Sequence, residues 1–115
     1  MSDFEAWRGE LRAFVAERDW GRFHDPKSLA LALTGEVGEL CELLQWLPAD
    51  QVGVLVGEEP LRGRLAEEMA DVLAYLACLA DAAGIDLVEA ATSKLIANEG
   101  RFPAADHLGV APTKA

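Results

Sequence analysis

Apolar residues recur along most of this chain at intervals of three and four, the period of a helix with one buried face. In the first stretch Phe4, Trp7, Leu11, Phe14 and Val15 keep this spacing up to Asp19, and Ser2 or Asp3 can cap a first helix. Residues 21–25 break the pattern. Asp25-Pro26 then offers a side-chain cap followed by proline at the first helical position, where its missing N–H costs nothing. A second helix is predicted over 26–47, with Leu29, Leu33, Val37, Leu40, Leu44 and Leu47 facing inward and Pro48 preventing continuation. Gly35 and Gly38 inside it each lower helix propensity by about 1 kcal/mol relative to alanine, which points to close packing or ligand approach.

Residues 48–60 mix three valines and a leucine with Gly, Asp and Glu, so they read as a connector with room for one short extra turn. A third helix is predicted over 61–83, with Leu65, Met69, Val72, Leu76 and Leu79 inward and Gly84 suited to the left-handed position past its end. Asp86 and Glu89 resemble a capping box. Leu87, Ala90, Ala91, Leu95 and Ile96 carry a fourth helix to about Glu99, where Gly100 is expected to end it. After Pro103 no sustained pattern remains, so 104–115 reads as a flexible tail behind one domain over 1–103. Short connections between successive helices give an all-α, antiparallel four-helix bundle, whose interior is the usual place for ligand and metal sites.

The second and third helices carry carboxylates where leucines would be expected. Glu36 and Glu39 lie three apart, as do Glu68 and Asp71, so each pair shares one helical face and repels itself. Exposed pairs of this kind cost only a few tenths of a kcal/mol, so solvated faces are the plain alternative. Three features oppose it. Apart from Arg64 near Glu68, no Lys or Arg stands three or four residues away on the same helix. Both pairs sit in the most apolar parts of their helices, where a desolvated carboxylate takes up a proton unless a cation compensates it. Antiparallel neighbours could also bring the pairs face to face. An all-oxygen cluster suits Mg²⁺, Mn²⁺ or Ca²⁺, whereas zinc and iron usually recruit His or Cys. The Glu-x-x-His of helical di-iron proteins is missing, because Glu39 and Asp71 stand where histidine would be needed.

Composition sharpens this picture. With 115 residues and 51% hydrophobic content the chain can build one modest core, and packing against copies of itself would supply area that a monomer lacks. The formal net charge of −10 disfavours nucleic-acid polymers, which draw on clustered Lys and Arg. The same charge would repel a phosphorylated small molecule unless a divalent cation stood between its phosphates and the carboxylates. No apolar run approaches the roughly 20 residues of a membrane span, and the stretch starting at Met1 lacks a basic segment followed by an apolar core, so the cytoplasm is the expected location. Cys41 and Cys78 sit within apolar helical patterns and are expected to be buried free thiols.

A resemblance then becomes visible. Glu17-Arg18-Asp19-Trp20, Phe23-His24-Asp25-Pro26-Lys27, Gly35-Glu36-Val37-Gly38-Glu39-Leu40 and Gln45-Trp46 occur in that order. They are followed by Glu67-Glu68-Met69-Ala70-Asp71, Gly84-Ile85-Asp86-Leu87, Ser93-Lys94, Asn98 and Arg101-Phe102-Pro103. Together these segments, over residues 10–103, resemble the MazG-like all-α nucleotide pyrophosphohydrolases, and within them most of all the dCTP pyrophosphatase branch. The paired E-x-x-E and E-x-x-D are short, but their order among the aromatic and Asn-x-x-Arg-Phe-Pro segments makes the likeness specific.

The resemblance implies Mg²⁺, or alternatively Mn²⁺, bound by Glu36, Glu39, Glu68 and Asp71. The activity it implies is hydrolysis of a (deoxy)nucleoside triphosphate, dCTP or a modified dCTP, to the monophosphate and pyrophosphate. It assigns Trp20, His24, Trp46 and Tyr75 to the base, and Lys27, Lys94, Asn98 and Arg101 to phosphate oxygens. It also implies a homo-oligomer, a dimer of dimers, with sites lined from two subunits. Glu99 stands where eukaryotic relatives carry a further basic residue and Phe102 where the family has tyrosine, which bears on phosphate contacts and nucleotide preference. Competing readings are another substrate such as dUTP, or a catalytically silent helical interaction module with solvated glutamates.

Overall fold

The computed structural model describes residues 2–112. Regular structure begins where a short polar side chain can accept an otherwise orphaned N–H. Ser2 Oγ accepts from the Glu5 N–H at 3.2 Å and opens α1 (Asp3–Glu17). The chain then passes through Asp19, whose φ of 53° is left-handed, into a four-residue 3₁₀ turn, Trp20–Phe23. Asp25 caps α2 (Pro26–Leu44), accepting from the Ser28 N–H at 2.9 Å and from the Ser28 hydroxyl at 2.6 Å. Such caps contribute about 1 kcal/mol each.

Helix α2 stops three residues short of the expected Leu47, because the residue before a proline is pushed out of helical geometry and Leu47 precedes Pro48. One short helix, α3 (Val52–Leu55), occupies the connector. Helix α4 (Leu61–Ala83) starts without a side-chain cap on its own N-cap residue, but Glu59 Oε2 accepts the Gly63 N–H at 3.1 Å. It ends at Gly84, whose φ of 67° is the left-handed geometry that glycine adopts without strain. Helix α5 (Leu87–Arg101) is capped by Asp86, which accepts the Glu89 N–H at 3.0 Å. Gly100 does not end it. The helix continues to Arg101 and is halted by Pro103, two residues on. A further turn follows, α6 (Ala104–His107), within the stretch read as a tail. It is held by the His107 Nδ1 contact with the Pro103 carbonyl at 3.0 Å and an edge contact of Phe102 with His107 at 5.3 Å. Residues 113–115 of the expected tail lie outside the described residues. No strand occurs among the described residues, and no helix is long and apolar enough to cross a membrane.

The chain divides into two compact units, Met1–Gly84 and Ile85–Ala115. In the first, α2 and α4 pack along one another, and the buried apolar residues are Leu29, Ala77 and Ala80. Several residues expected to face inward do not. Phe14 is 44% exposed, Val37 42% and Met69 56%. For Val37 and Met69 the reason is that α2 and α4 carry apolar residues on more than one face, Leu31 and Leu73 among them, and the seam between the two helices covers only one stripe of each. Cys41 is also exposed rather than buried; Cys78 is half-buried, and both are free thiols. In the second unit Val88, Leu95, Ile96, Leu108 and Val110 are exposed.

The one buried charged residue among those described is Arg8 of α1, at 7% exposure. Its Nη1 donates to Glu5 Oε1 at 3.0 Å and its Nη2 to Asp81 Oδ1 at 3.1 Å. Arg12, one turn on, grips the same carboxylate with two bonds: Nε to Oδ2 at 2.9 Å and Nη2 to Oδ1 at 2.8 Å. Asp81 stands near the C-terminal end of α4, while Phe14 and Val15 of α1 share a cavity with Asp71 and Tyr75, so α1 and α4 run in opposite directions.

The hydrogen bonds from Arg12, followed by the one from Arg8, hold the Asp81 carboxyl below the usual carboxylate range. A depressed folded-state value means that its contribution to stability is fully present above the unfolded value of about 3.9 and is lost as pH falls through the folded one. Urea melts should therefore show Asp81→Asn clearly less stable than wild type at pH 7. The gap should narrow progressively below pH ~4, and a gap independent of pH would contradict the assignment.

Candidate active site

The carboxylates expected to gather do so at the α2–α4 seam. Helical spacing places Glu36 and Glu39 on one face of α2 and Glu68 on the facing side of α4, and one oxygen from each lies within 4.8 Å of the others. Asp71, one turn beyond Glu68, stands outside this trio of oxygens, but its charge acts on both Glu36 and Glu68. Burial at the seam, then the charges of Glu39 and Asp71, push the Glu36 carboxyl up to about 7. Glu68 is raised too, first by burial. Glu36 Oε2 and Glu68 Oε2 are buried and have no hydrogen-bond partner within the chain. Two orphaned buried oxygens among converging carboxylates are the donor set of a hard cation: oxygen only, negatively charged and short of partners. These residues fit a divalent ion such as Mg²⁺ or Mn²⁺.

A cavity of about 190 Å³ lies between α1, the 3₁₀ turn and α4. Asp71 is in its wall, together with Trp20, His24, Tyr75 and Phe14. The left-handed Asp19 turns the chain at the end of α1 so that Trp20 comes back beside Phe14, with ring centroids 5.6 Å apart and planes at 76°. His24, half-buried, follows the 3₁₀ turn and donates its backbone N–H to Gly21 at 3.0 Å. Flat rings and one carboxylate from the seam thus meet in a single concavity. The aromatic walls offer faces on which a planar ring can stack.

A larger cavity of about 490 Å³ adjoins it and shares Leu11, Val15, His24 and Cys78. Its polar wall comes from Arg12, Asp19 and Asp81, and none of the four seam carboxylates lines it, so volume alone does not mark the site. Burial, and secondarily the Asp81 charge, raise the Cys78 thiol, which disfavours the thiolate that nucleophilic chemistry would need.

The remaining residues singled out from the sequence are more scattered. Lys27 is exposed on the first turn of α2. Trp46, in the turn after α2, is 85% exposed and belongs to the wall of neither cavity. In the second unit Lys94 is exposed, Asn98 half-buried, and Arg101 lies over the Phe102 ring at 4.9 Å. Sequence reasoning missed Arg8, Arg12 and Asp81. Their signal was present, because Phe4, Arg8 and Leu11 fall on one helical face and Asp81 ends an apolar run, both of which call for a buried partner. Arg18, four residues after Phe14, was also passed over as a site residue although that spacing stacks a guanidinium on a ring.

Comparison with known proteins follows the same residues. The chain is 47% identical over 90 residues to bovine dCTP pyrophosphatase 1, covering 78% of this chain and 53% of the bovine protein. It is 48% identical over 91 residues to the human protein of that name, covering 79% and 54%. It therefore spans about half the length of the curated relatives it matches. Its fold superposes on the crystal structure of a pyrophosphatase from Archaeoglobus fulgidus with a TM-score of 0.82 and 36% identity, covering 90% of this chain and 94% of that one. The sequence profile of the MazG nucleotide pyrophosphohydrolase domain matches residues 24–103, a span that takes in all four seam carboxylates as well as His24 and Tyr75, and the chain belongs to that family.

Proposed function

We propose that this chain hydrolyses a (deoxy)nucleoside triphosphate, dCTP or a modified dCTP, to the monophosphate and pyrophosphate. The observation that carries the reading is the contact between two features: an acidic cluster with orphaned buried oxygens, and an aromatic cavity that includes the neighbouring Asp71. Glu36, Glu39, Glu68 and Asp71 would hold Mg²⁺, or Mn²⁺ in its place. When bound, the ion would supply charge neutralisation and polarisation of phosphoryl oxygens. In this reading Trp20, His24, Tyr75 and Trp46 bind and orient the base. Lys27, Lys94, Asn98 and Arg101 donate to phosphate oxygens. Water attacks the α-phosphorus, the bond to the bridging oxygen of pyrophosphate breaks, and a seam carboxylate takes the proton from the water. Cytosine is the base in this reading because the curated relatives carry the name dCTP pyrophosphatase 1.

The same proposal includes a MazG-like antiparallel four-helix bundle and assembly into a homo-oligomer, a dimer of dimers. Its support is the exposed apolar surface, with Leu31 at 63%, Val37 at 42%, Met69 at 56% and Trp46 at 85% exposure. An outward Trp46 would be free to line the site of another copy. A cytoplasmic location accords with two free thiols.

Four measurements test this reading. Incubating the protein with each dNTP and Mg²⁺ should release pyrophosphate and monophosphate, fastest from dCTP; orthophosphate with diphosphate would contradict the reaction class. Glu39→Gln or Asp71→Asn should lower turnover about 100-fold or more. In the absence of metal, Glu36→Gln should melt higher than wild type at pH 8, since an amide removes a charge the seam disfavours, and should lose the thermal shift caused by Mg²⁺. Near-normal, metal-dependent turnover by folded variants would refute the site. Light scattering at micromolar concentration should give a mass well above that of one chain, 12.4 kDa, with a fully active monomer counting against assembly.

A further inference from the structure

Trp20 is only partly covered by the chain's own packing. It is 44% exposed and is the first residue of a four-residue turn that follows a left-handed Asp19. A ring so placed could swing about its side-chain bonds unless something fixes one of its edges. The neighbour that does so is Phe14, whose ring meets the indole edge-on at 5.6 Å and 76°, and which lines the same cavity.

Phe14 is itself 44% exposed and is fixed from outside. The guanidinium of Arg18 lies over its ring at 3.7 Å from the centroid and 5.9 Å from that of Trp20. Arg18 Nη1 also donates to the Phe14 carbonyl at 3.0 Å, and Glu17 Oε2 approaches the same nitrogen at 3.6 Å. The Phe14 carbonyl belongs to the last turn of α1, where helical carbonyls have no partner within the helix. One side chain therefore closes the helix end and presses a ring into place.

We infer that Phe14 and Arg18 form a bracket that sets the orientation of Trp20 in the smaller cavity, and so act as positioning residues for the base. The inference rests on the proposed function for the base contact, but the bracket itself is a property of the chain alone. Arg18 acts through Phe14, and Phe14 through Trp20. A loosened indole would still stack, with a larger fraction of its orientations unproductive. The loss should appear in binding and leave the chemistry at the seam untouched.

The test uses protein labelled with 5-fluorotryptophan, in which the three tryptophans give three fluorine resonances. In Arg18→Met and Phe14→Leu the Trp20 resonance should shift or broaden while those of Trp7 and Trp46 stay in place. KM for the nucleotide should rise roughly three- to tenfold, the size of one aromatic pair, with kcat within about twofold. Phe14→Tyr keeps the ring and should restore both readouts. Should the truncations fail to fold, Arg18→Lys keeps the charge but not the flat stack, and a Trp20 shift is still expected. An unmoved Trp20 resonance in folded variants overturns the bracket, as does a lower melting temperature with unchanged KM. If wild type turns over no nucleotide, the proposed function fails, while the fluorine spectra still decide the bracket.

Discussion

Glu36, Glu39 and Glu68 meet at the seam where α2 and α4 pack, and their charges repel across the principal helix contact of the first unit. Burial and neighbouring charge push Glu36 up to about 7, so near neutrality the unaided chain keeps a proton there for part of the time. A packing optimum would place leucines at these positions. Carboxylates stand there instead, so the seam sets packing against charge repulsion.

Helix α1 supplies what the seam cannot. Arg8 and Arg12 fasten it to Asp81 near the C-terminal end of α4, more than two turns along the helix from Asp71. Anchored there, α1 presents Leu11 and Val15 to both cavities and Phe14 to the smaller one. Its C-terminal end, turned by the left-handed Asp19, carries Trp20 and then His24 to the opening. Two ion-paired arginines at one end and an aromatic cluster at the other thus divide a single helix into an anchored part and a part that serves the ligand.

Much of this was legible in the sequence, for identifiable reasons. Caps at Ser2, Asp25 and Asp86 and the glycine stop at Gly84 are local signals read over four or five residues, and each was borne out. The ends at Leu47 and Glu99 were misplaced because competing stop signals lay close together. Pro48 acted through the residue before it, and Gly100 was tolerated until Pro103 intervened. The carboxylates were conspicuous as charge within apolar runs, and three of the four converge. Burial was read less well. Periodicity shows that Val37, Met69 and Phe14 are apolar at helical spacing, but it cannot say whether another helix stands opposite. The ion pairs of Arg8 and Arg12 with Asp81 join positions about seventy residues apart in the chain, beyond the reach of any local pattern.

Leu29, Ala77 and Ala80 make up the buried apolar interior, and two of these three are alanines. Truncating a large buried side chain is ordinarily the surest way to wreck a small domain, since it leaves a hole that neighbours cannot fill. Among the described apolar residues only Leu29, at 2% exposure, is both large and enclosed, so that route is narrow. The damaging change at the centre is instead enlargement, because Ala77 and Ala80, at 1% and 4% exposure, leave no room for added methylenes, so this interior is vulnerable to crowding more than to holes.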